Sequence, residues 1–140
     1  MRTTAIILGI ILLGFAIYVR IAPFDPEAWH PDPADLPKTA RQGHREAIES
    51  DLPPAPALEK LSAIAAATPR TELLAGSVAS GRLTYITRSK LWRFPDATTI
   101  AVYPKGDGSE LRFYARQRFG RGDGGVNAAR VKDWIRRFQS

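Results

Sequence analysis

Arginines and glycines are concentrated in residues 115–131, the part of the chain whose residue types most suggest chemistry. Alternating polar and apolar residues predict a strand with Arg116 and Arg118 on one face, then a glycine-rich turn and an amphipathic helix. Backbone N–H groups at a helix N-terminus, placed beside guanidinium groups, favour a carboxylate or phosphate. The segment therefore suggests an anion site.

A third arginine, Arg88, lies at the end of an earlier predicted strand, on the same face of that strand as Thr84. If the two strands are neighbours, Arg88, Arg116 and Arg118 form a row that could hold an anion by bidentate hydrogen bonds. The alternative is a solvated sheet face with cross-strand pairing. Pairing of each guanidinium with a carboxylate or a backbone carbonyl would argue against the anion site.

The remaining polar residues of this region are interpreted as structural. Glycine supplies positive φ, and an aspartate in a turn supplies a cap hydrogen bond. An asparagine and an arginine three positions apart on a helix can tie such a turn in place. The Gly-Lys-Ser/Thr of a P-loop is missing. This structural signature consists of Asp96, Gly120, Asp123, Gly125, Asn127 and Arg130.

An enzymatic constellation is hard to assemble from this chain. Cysteine is absent, and the two histidines, His30 and His44, lie outside the predicted core. Asp96 and Asp123 could act as a carboxylate pair, but neighbouring arginines would keep both ionised. We therefore assign no catalytic residue, no metal and no cofactor.

Positive charge is concentrated in the C-terminal part of the chain. The net charge is +6, and residues 81–140 contribute 13 lysines and arginines against 5 acidic residues. Such a basic surface suits lipid headgroups, a small anionic ligand or nucleic acid, or simply favours solubility. Only Tyr114 shares the arginine face, so the stacking platform that a nucleic-acid binder needs is thin. Nucleic acid is therefore the least favoured partner.

The first 22 residues are predicted to form a single transmembrane anchor. Residues 3–19 contain no charged side chain, and about 17–25 such residues span a bilayer. A cleaved signal peptide is the alternative, but Arg20 and Pro23 occupy positions where a cleavage site needs small residues. Positive charge at the N-terminus places the domain on the extracytoplasmic side of the inner (cytoplasmic) membrane.

The rest of the chain divides into a tether and a globular domain. Residues 23–53 are rich in proline and acidic residues and are predicted to form the tether. Within it we predict a short polar helix in residues 38–51. Trp29 either anchors at the membrane interface or packs on the domain. Residues 54–140 follow the order helix, four strands, helix. This order indicates an α+β domain, a four-stranded antiparallel sheet flanked by an N-terminal and a C-terminal amphipathic helix. Leu111, Phe113 and Ala115 are predicted to face the helices.

Three stretches, residues 24–30, 84–96 and 115–131, resemble the domain-of-unknown-function family numbered 1499. The third carries the spacing Arg-x-Arg-x-Gly-x-x-Asp-x-Gly-x-Asn-x-x-Arg, from Arg116 to Arg130. The chain departs from the family in lacking cysteine, in having Arg93 where glycine is usual, and in having Gly122 where serine is usual. The resemblance implies a membrane-associated protein without an assigned activity.

These observations predict a single-pass membrane protein of the cell envelope that binds an anionic ligand, a lipid headgroup or an envelope protein. An envelope hydrolase or transferase with an arginine-lined phosphate site is the alternative. A nucleic-acid-binding module ranks third.

Overall fold

Three helices and five strands make up the chain in a computed structural model that describes residues 1–140. The predicted α+β class is confirmed. In chain order the elements are α1 (Arg2–Ile21), β1 (His44–Ser50), α2 (Pro54–Ala66), β2 (Thr71–Ser77), β3 (Arg82–Arg88), β4 (Pro95–Lys105), β5 (Gly108–Gln117) and α3 (Val126–Gln139).

The sheet has five antiparallel strands in the order β1-β5-β4-β3-β2, so the prediction of four strands was wrong. The additional strand, β1, lies within residues 38–51, where we predicted a short polar helix, and it pairs with β5 from His44–Ala115 to Ser50–Ser109. Ile48 is its only large apolar residue that packs against the core, so the periodic signal was too weak to show a strand. The sheet thus begins upstream of residue 54.

Both amphipathic helices pack on one face of the sheet and form the core with it. Leu58, Leu61 and Ala65 of α2 are fully buried at helical spacing. Trp134 of α3 lies edge-on to Tyr85, and its indole nitrogen donates a hydrogen bond to Thr68 Oγ1 at 3.0 Å. The predicted inward residues of β5 are confirmed as part of this core; they are Leu111, Phe113 and Ala115.

Residues 22–41 cover the opposite face of the sheet, which we call the outer face. His30 hydrogen-bonds Thr84 of β3 at 2.7 Å, and Tyr103 of β4 donates to the Asp32 carboxylate. Tyr114 of β5 donates to the backbone carbonyl of Arg41. The proline-rich segment is therefore a layer of the structure.

Helix α1 is long enough and apolar enough to cross a membrane, features that it shares with signal sequences near an N-terminus. Its last turns contact the rest of the chain. Val19 is buried, and the Phe15 and Tyr18 rings lie about 6 Å from the ring of Phe119. The rest of the helix is exposed.

Arg93, in the connection between β3 and β4, has a left-handed backbone with φ of 61°. The resemblance gives glycine at this position, and a side chain there costs about 1 kcal/mol or more. We expect Arg93→Gly to raise the free energy of unfolding by about 1 kcal/mol, measured by denaturant unfolding of the full chain in mild detergent. Arg93→Ala keeps a side chain on the left-handed backbone and should leave the free energy of unfolding nearly unchanged. An equal increase in stability in both variants would show that the lost charge, and not the backbone strain, causes the effect.

Candidate functional site

The three arginines predicted to contact a ligand all lie on the outer face, and all three donate hydrogen bonds to backbone carbonyls, which are the only acceptors of Arg88 and Arg118. Arg88 Nη1 donates to the carbonyls of Val19 and Arg93, at 3.1 and 3.3 Å. Arg118 Nη1 donates to the carbonyls of Ala22 and Pro23, at 3.2 and 2.7 Å. Carbonyls at the end of a helix lack intrahelical partners, so the guanidinium groups satisfy them. This pairing argues against an anion site at Arg88 and Arg118.

Arg116 is only 2% exposed and has no carboxylate partner. Nη1 donates to Thr99 Oγ1 at 2.8 Å and to the Tyr114 carbonyl at 2.9 Å, and Nη2 donates to the Trp29 carbonyl at 2.7 Å. The guanidinium lies 4.4 Å from the centre of the Tyr114 ring. Burial lowers the pKa of Arg116 to about 10. A buried charge without an opposite charge is energetically costly, so this residue is the most unusual on the outer face.

A cavity of about 350 Å³ lies beside Arg116, between residues 28–41 and the sheet. Arg41 supplies a second guanidinium, which stacks over the Trp29 ring at 5.1 Å. Small-molecule sites combine apolar and aromatic walls with a few polar groups in this way. The lining residues are Ala28, Trp29, Pro31, Leu36, Pro37, Thr39, Ala40, Arg41, Tyr114 and Arg116.

Of the predicted site residues, only Arg116 lines this cavity. Arg41 and the wall formed by residues 28–41 were missed, because nothing local in the sequence links them to β5. Trp29 was the one available signal, and it packs on the domain, which was one of its two predicted positions. Its ring centre lies 5.0 Å from that of Phe24 and 5.5 Å from the Arg116 guanidinium.

A chain of hydrogen bonds runs from Arg116 to His30. Arg116 can only donate, so Thr99 Oγ1 accepts its bond, and Thr99 is linked to Thr84 at 2.8 Å. Thr84 is linked to His30 Nδ1 at 2.7 Å. Burial lowers the pKa of His30, and the positive charges of Arg82 and Arg116 lower it further. Either hydroxyl can donate in the Thr84–Thr99 bond, and a neutral His30 ring ends this series of hydrogen bonds with Nδ1 as donor or acceptor according to its tautomer.

We expect the free energy of unfolding to fall as pH drops below the ordinary histidine pKa of 6.5. Because the pKa of His30 is lowered in the folded protein, the unfolded chain binds the proton more readily there, so stability rises with pH across that window. His30→Asn retains a side chain that can donate or accept a hydrogen bond but does not titrate, so it should reduce this dependence of stability on pH. The free energy of unfolding of the unchanged protein and of His30→Asn is measured by denaturant unfolding at pH 5 and pH 7.5. An equal change in stability between the two pH values in both proteins would contradict the assignment of this dependence to His30.

The signature residues form a separate network at the start of α3. The carboxylate of Asp123 accepts hydrogen bonds from the backbone N–H groups of Gly125 at 2.9 Å and Asn127 at 2.8 Å. Burial raises the pKa of Asp123, but these bonds outweigh it and hold the pKa below its ordinary value. Gly120 and Gly125 have φ of 85° and 84°, which favours glycine at both positions.

Arg130 connects this turn to the sheet. It donates to Asn127 Oδ1 at 2.7 Å and to Asp96 Oδ2 at 3.4 Å. Burial raises the pKa of Asp96 despite the opposing effect of Arg130. The two carboxylates that could have served a hydrolase are thus engaged by the chain, and neither Asp96 nor Asp123 lines the cavity beside Arg116.

A family model described as "Protein of unknown function (DUF1499)" matches residues 30–138. The chain belongs to the DUF1499 family. The resemblance seen in residues 84–96 and 115–131 is thereby confirmed. The matched range of the DUF1499 chain includes β1, Arg41, Arg116 and the signature turn. No curated protein sequence matches the chain significantly.

Three solved structures are similar to the chain at low sequence identity. Ara h 8.0201 has a TM-score of 0.50 at 11% identity, covering 70% of this chain and 92% of its own. Protein MLL2253 from Mesorhizobium loti has a TM-score of 0.45 at 13% identity, covering 69% and 94%. TTHA0849 from Thermus thermophilus has a TM-score of 0.35 at 13% identity, covering 70% and 89%. For this DUF1499 protein, the first likeness concerns the fold alone.

Proposed function

We propose that this protein is a membrane-anchored binding protein whose cavity beside Arg116 takes a small anionic ligand with an apolar part. The observation that carries the proposal is a buried guanidinium that has no carboxylate partner and lines a cavity. Three hydrogen bonds leave part of the Arg116 donor set free. A bound anion would supply the missing opposite charge through charge-assisted hydrogen bonds.

The walls of the cavity support an amphiphilic ligand rather than a bare ion. Trp29, Leu36 and Tyr114 offer apolar and aromatic surface, and Arg41 places a second positive charge at the same cavity. A volume of about 350 Å³ suits a short acyl or alkyl chain that ends in a phosphate or carboxylate. The same chemistry occurs in lipid headgroups and in free metabolites.

Contacts at the end of α1 support its retention as a membrane anchor. Val19 and Ala22 are buried, and their carbonyls accept hydrogen bonds from Arg88 and Arg118. Cleavage of α1 as a signal sequence would remove the Val19 acceptor and expose the surface that it covers. With Arg2 preceding the span, the positive-inside rule favours a domain on the extracytoplasmic side of the cytoplasmic membrane. An intact chain mass of 15.4 kDa in purified membranes would support retention.

We expect Arg41→Ala to weaken binding of hexyl phosphate by about tenfold or more, since a hydrogen bond to a charged group contributes about 1.5–3 kcal/mol. Binding is measured by calorimetry on the full chain in phosphatidylcholine nanodiscs, with empty nanodiscs as the blank. Hexanoate and inorganic phosphate separate the contributions of headgroup and chain.

Arg45→Ala is the matched control for this variant. Arg45 is also exposed and stacks on the Tyr114 ring at 5.2 Å, but it does not line the cavity. Its loss should leave the affinity for hexyl phosphate unchanged. Equal weakening in both variants, or an absence of binding by hexyl phosphate and hexanoate in the unchanged protein, would overturn the proposed ligand class.

A further inference from the structure

The connection between β3 and β4, residues 89–94, exposes three large apolar side chains close together. Leu91 is 73% exposed, Trp92 is 61% exposed and Phe94 is 37% exposed. Contiguous exposed apolar surface of this kind marks an interaction site, whereas single exposed apolar residues need no explanation. We call these three residues the apolar turn.

The apolar turn lies beside α1, well before the end of the helix. The ring centres of Phe94 and Phe15 are 6.3 Å apart. A wholly apolar cleft of about 340 Å³ separates the turn from the helix, lined by Leu12, Phe15, Ala16, Val19, Trp92 and Phe94. From Leu12 to Val19 the helix rises about 10 Å, so the turn follows α1 over roughly a third of its length.

We propose that the apolar turn is immersed in the same bilayer as α1, with lipid acyl chains filling the cleft between them. This rests on the proposed function, in which α1 is a membrane anchor. Residues 12–19 of a spanning helix lie within the hydrocarbon layer, which is about 30 Å thick. Side chains that contact those residues from the domain lie at the same depth.

Unpaired polar groups are costly in a bilayer, and hydrogen bonds close the connection at its two ends, whereas the N–H groups of residues 90–93 have no backbone partner. Ser89 N–H donates to the Phe94 carbonyl and Phe94 N–H donates to Ser89 Oγ, both at 2.9 Å. The Arg93 carbonyl accepts from Arg88 at 3.3 Å. These bonds satisfy the groups that close the connection at its two ends.

Lipid is favoured over a protein partner because the surface is continuous with α1 and flanked by positive charge. Lys90 and Arg93 stand within the connection, and both are exposed. Their long side chains can reach the headgroup region while the apolar residues stay below. Anionic headgroups attract such basic residues.

The absence of cysteine makes the test direct, because a single introduced cysteine can be labelled uniquely. Leu91→Cys in the full chain is coupled to the fluorophore NBD and reconstituted into phosphatidylcholine vesicles with a minority of phosphatidylglycerol. We expect blue-shifted emission that is largely lost when the lipids carry a nitroxide on the acyl chain. A label at Trp92→Cys should show the same blue shift and the same quenching. Agreement between the two positions would exclude a local disturbance caused by either label.

Two further sites make the outcome decisive. An NBD label at Leu13→Cys reports the environment of α1. A label at Asp107→Cys reports the β4–β5 turn, at the other end of β4, and its emission should resemble that of a label in water. Quenching at Leu13 without quenching at Leu91 and Trp92 would overturn the immersed turn and leave the anchor intact. A blue shift at Leu91 without quenching would indicate a protein partner and also overturn it. An unquenched Leu13 label would overturn the anchor itself.

Discussion

Replacing Arg116 with methionine is expected to lower the free energy of unfolding by about 3 kcal/mol and to loosen residues 22–41 from the sheet. The change deprives the carbonyls of Trp29 and Tyr114 and the hydroxyl of Thr99 of their donor, in a buried part of the structure. Relief of the buried charge offsets part of this loss. Denaturant unfolding measures the stability, and limited proteolysis measures the release of the segment.

Arg112→Met is the control for the Arg116 variant. Arg112 lies on the same strand and the same face, but its side chain is partly exposed and pairs with Glu110 at the surface. Surface ion pairs contribute about 0–1 kcal/mol, so we expect a small change. Equal losses in the two variants, or an unchanged proteolysis pattern in Arg116→Met, would contradict the role assigned to Arg116.

The second large effect is expected at the start of α3, where Asp123→Ala should cost about 2 kcal/mol. The substitution leaves the N–H groups of Gly125 and Asn127 without their acceptor. Asp107→Ala, in the exposed β4–β5 turn, should change stability by about 0.5 kcal/mol or less and serves as the control. Thermal or denaturant unfolding at pH 7 compares them.

The Asp123 effect should also depend on pH in a defined direction. The pKa of Asp123 is lower in the folded protein than its ordinary value of 3.8, so its contribution is present above that value and is lost as pH falls through the folded pKa. The stability gap between the unchanged protein and Asp123→Ala should therefore narrow in acid. A gap that stays constant would show that the carboxylate charge does not matter.

Local periodicity was sufficient to predict most of the fold. Leu58, Leu61 and Ala65 repeat at helical spacing, and Leu111, Phe113 and Ala115 alternate as a strand should. β1 escaped prediction because an edge strand needs few apolar residues when its neighbour supplies the hydrogen bonds. Its existence depends on pairing with β5, a relation that residues 44–50 do not encode by themselves.

The candidate site was less predictable for a related reason. Residue type and face identified Arg116, but its partner Trp29 lies 87 positions earlier in the chain. Arg88 and Arg118 have the same chemistry as Arg116, yet they hold carbonyls near the end of α1. Backbone acceptors carry no residue-type signal, so the sequence could not distinguish a guanidinium that binds only carbonyls from one that binds carbonyls and also borders a cavity.

The position of Arg118 near the C-terminus has a consequence for biosynthesis. The carbonyl groups of Ala22 and Pro23 are synthesised 96 and 95 residues before the guanidinium that binds them. At the usual pace of translation this delay is on the order of 5–20 s. During that interval the two carbonyl groups lack the guanidinium that binds them in the folded protein. Docking of residues 22 and 23 to Arg118 therefore follows the synthesis of all five strands, because Arg118 comes directly after β5.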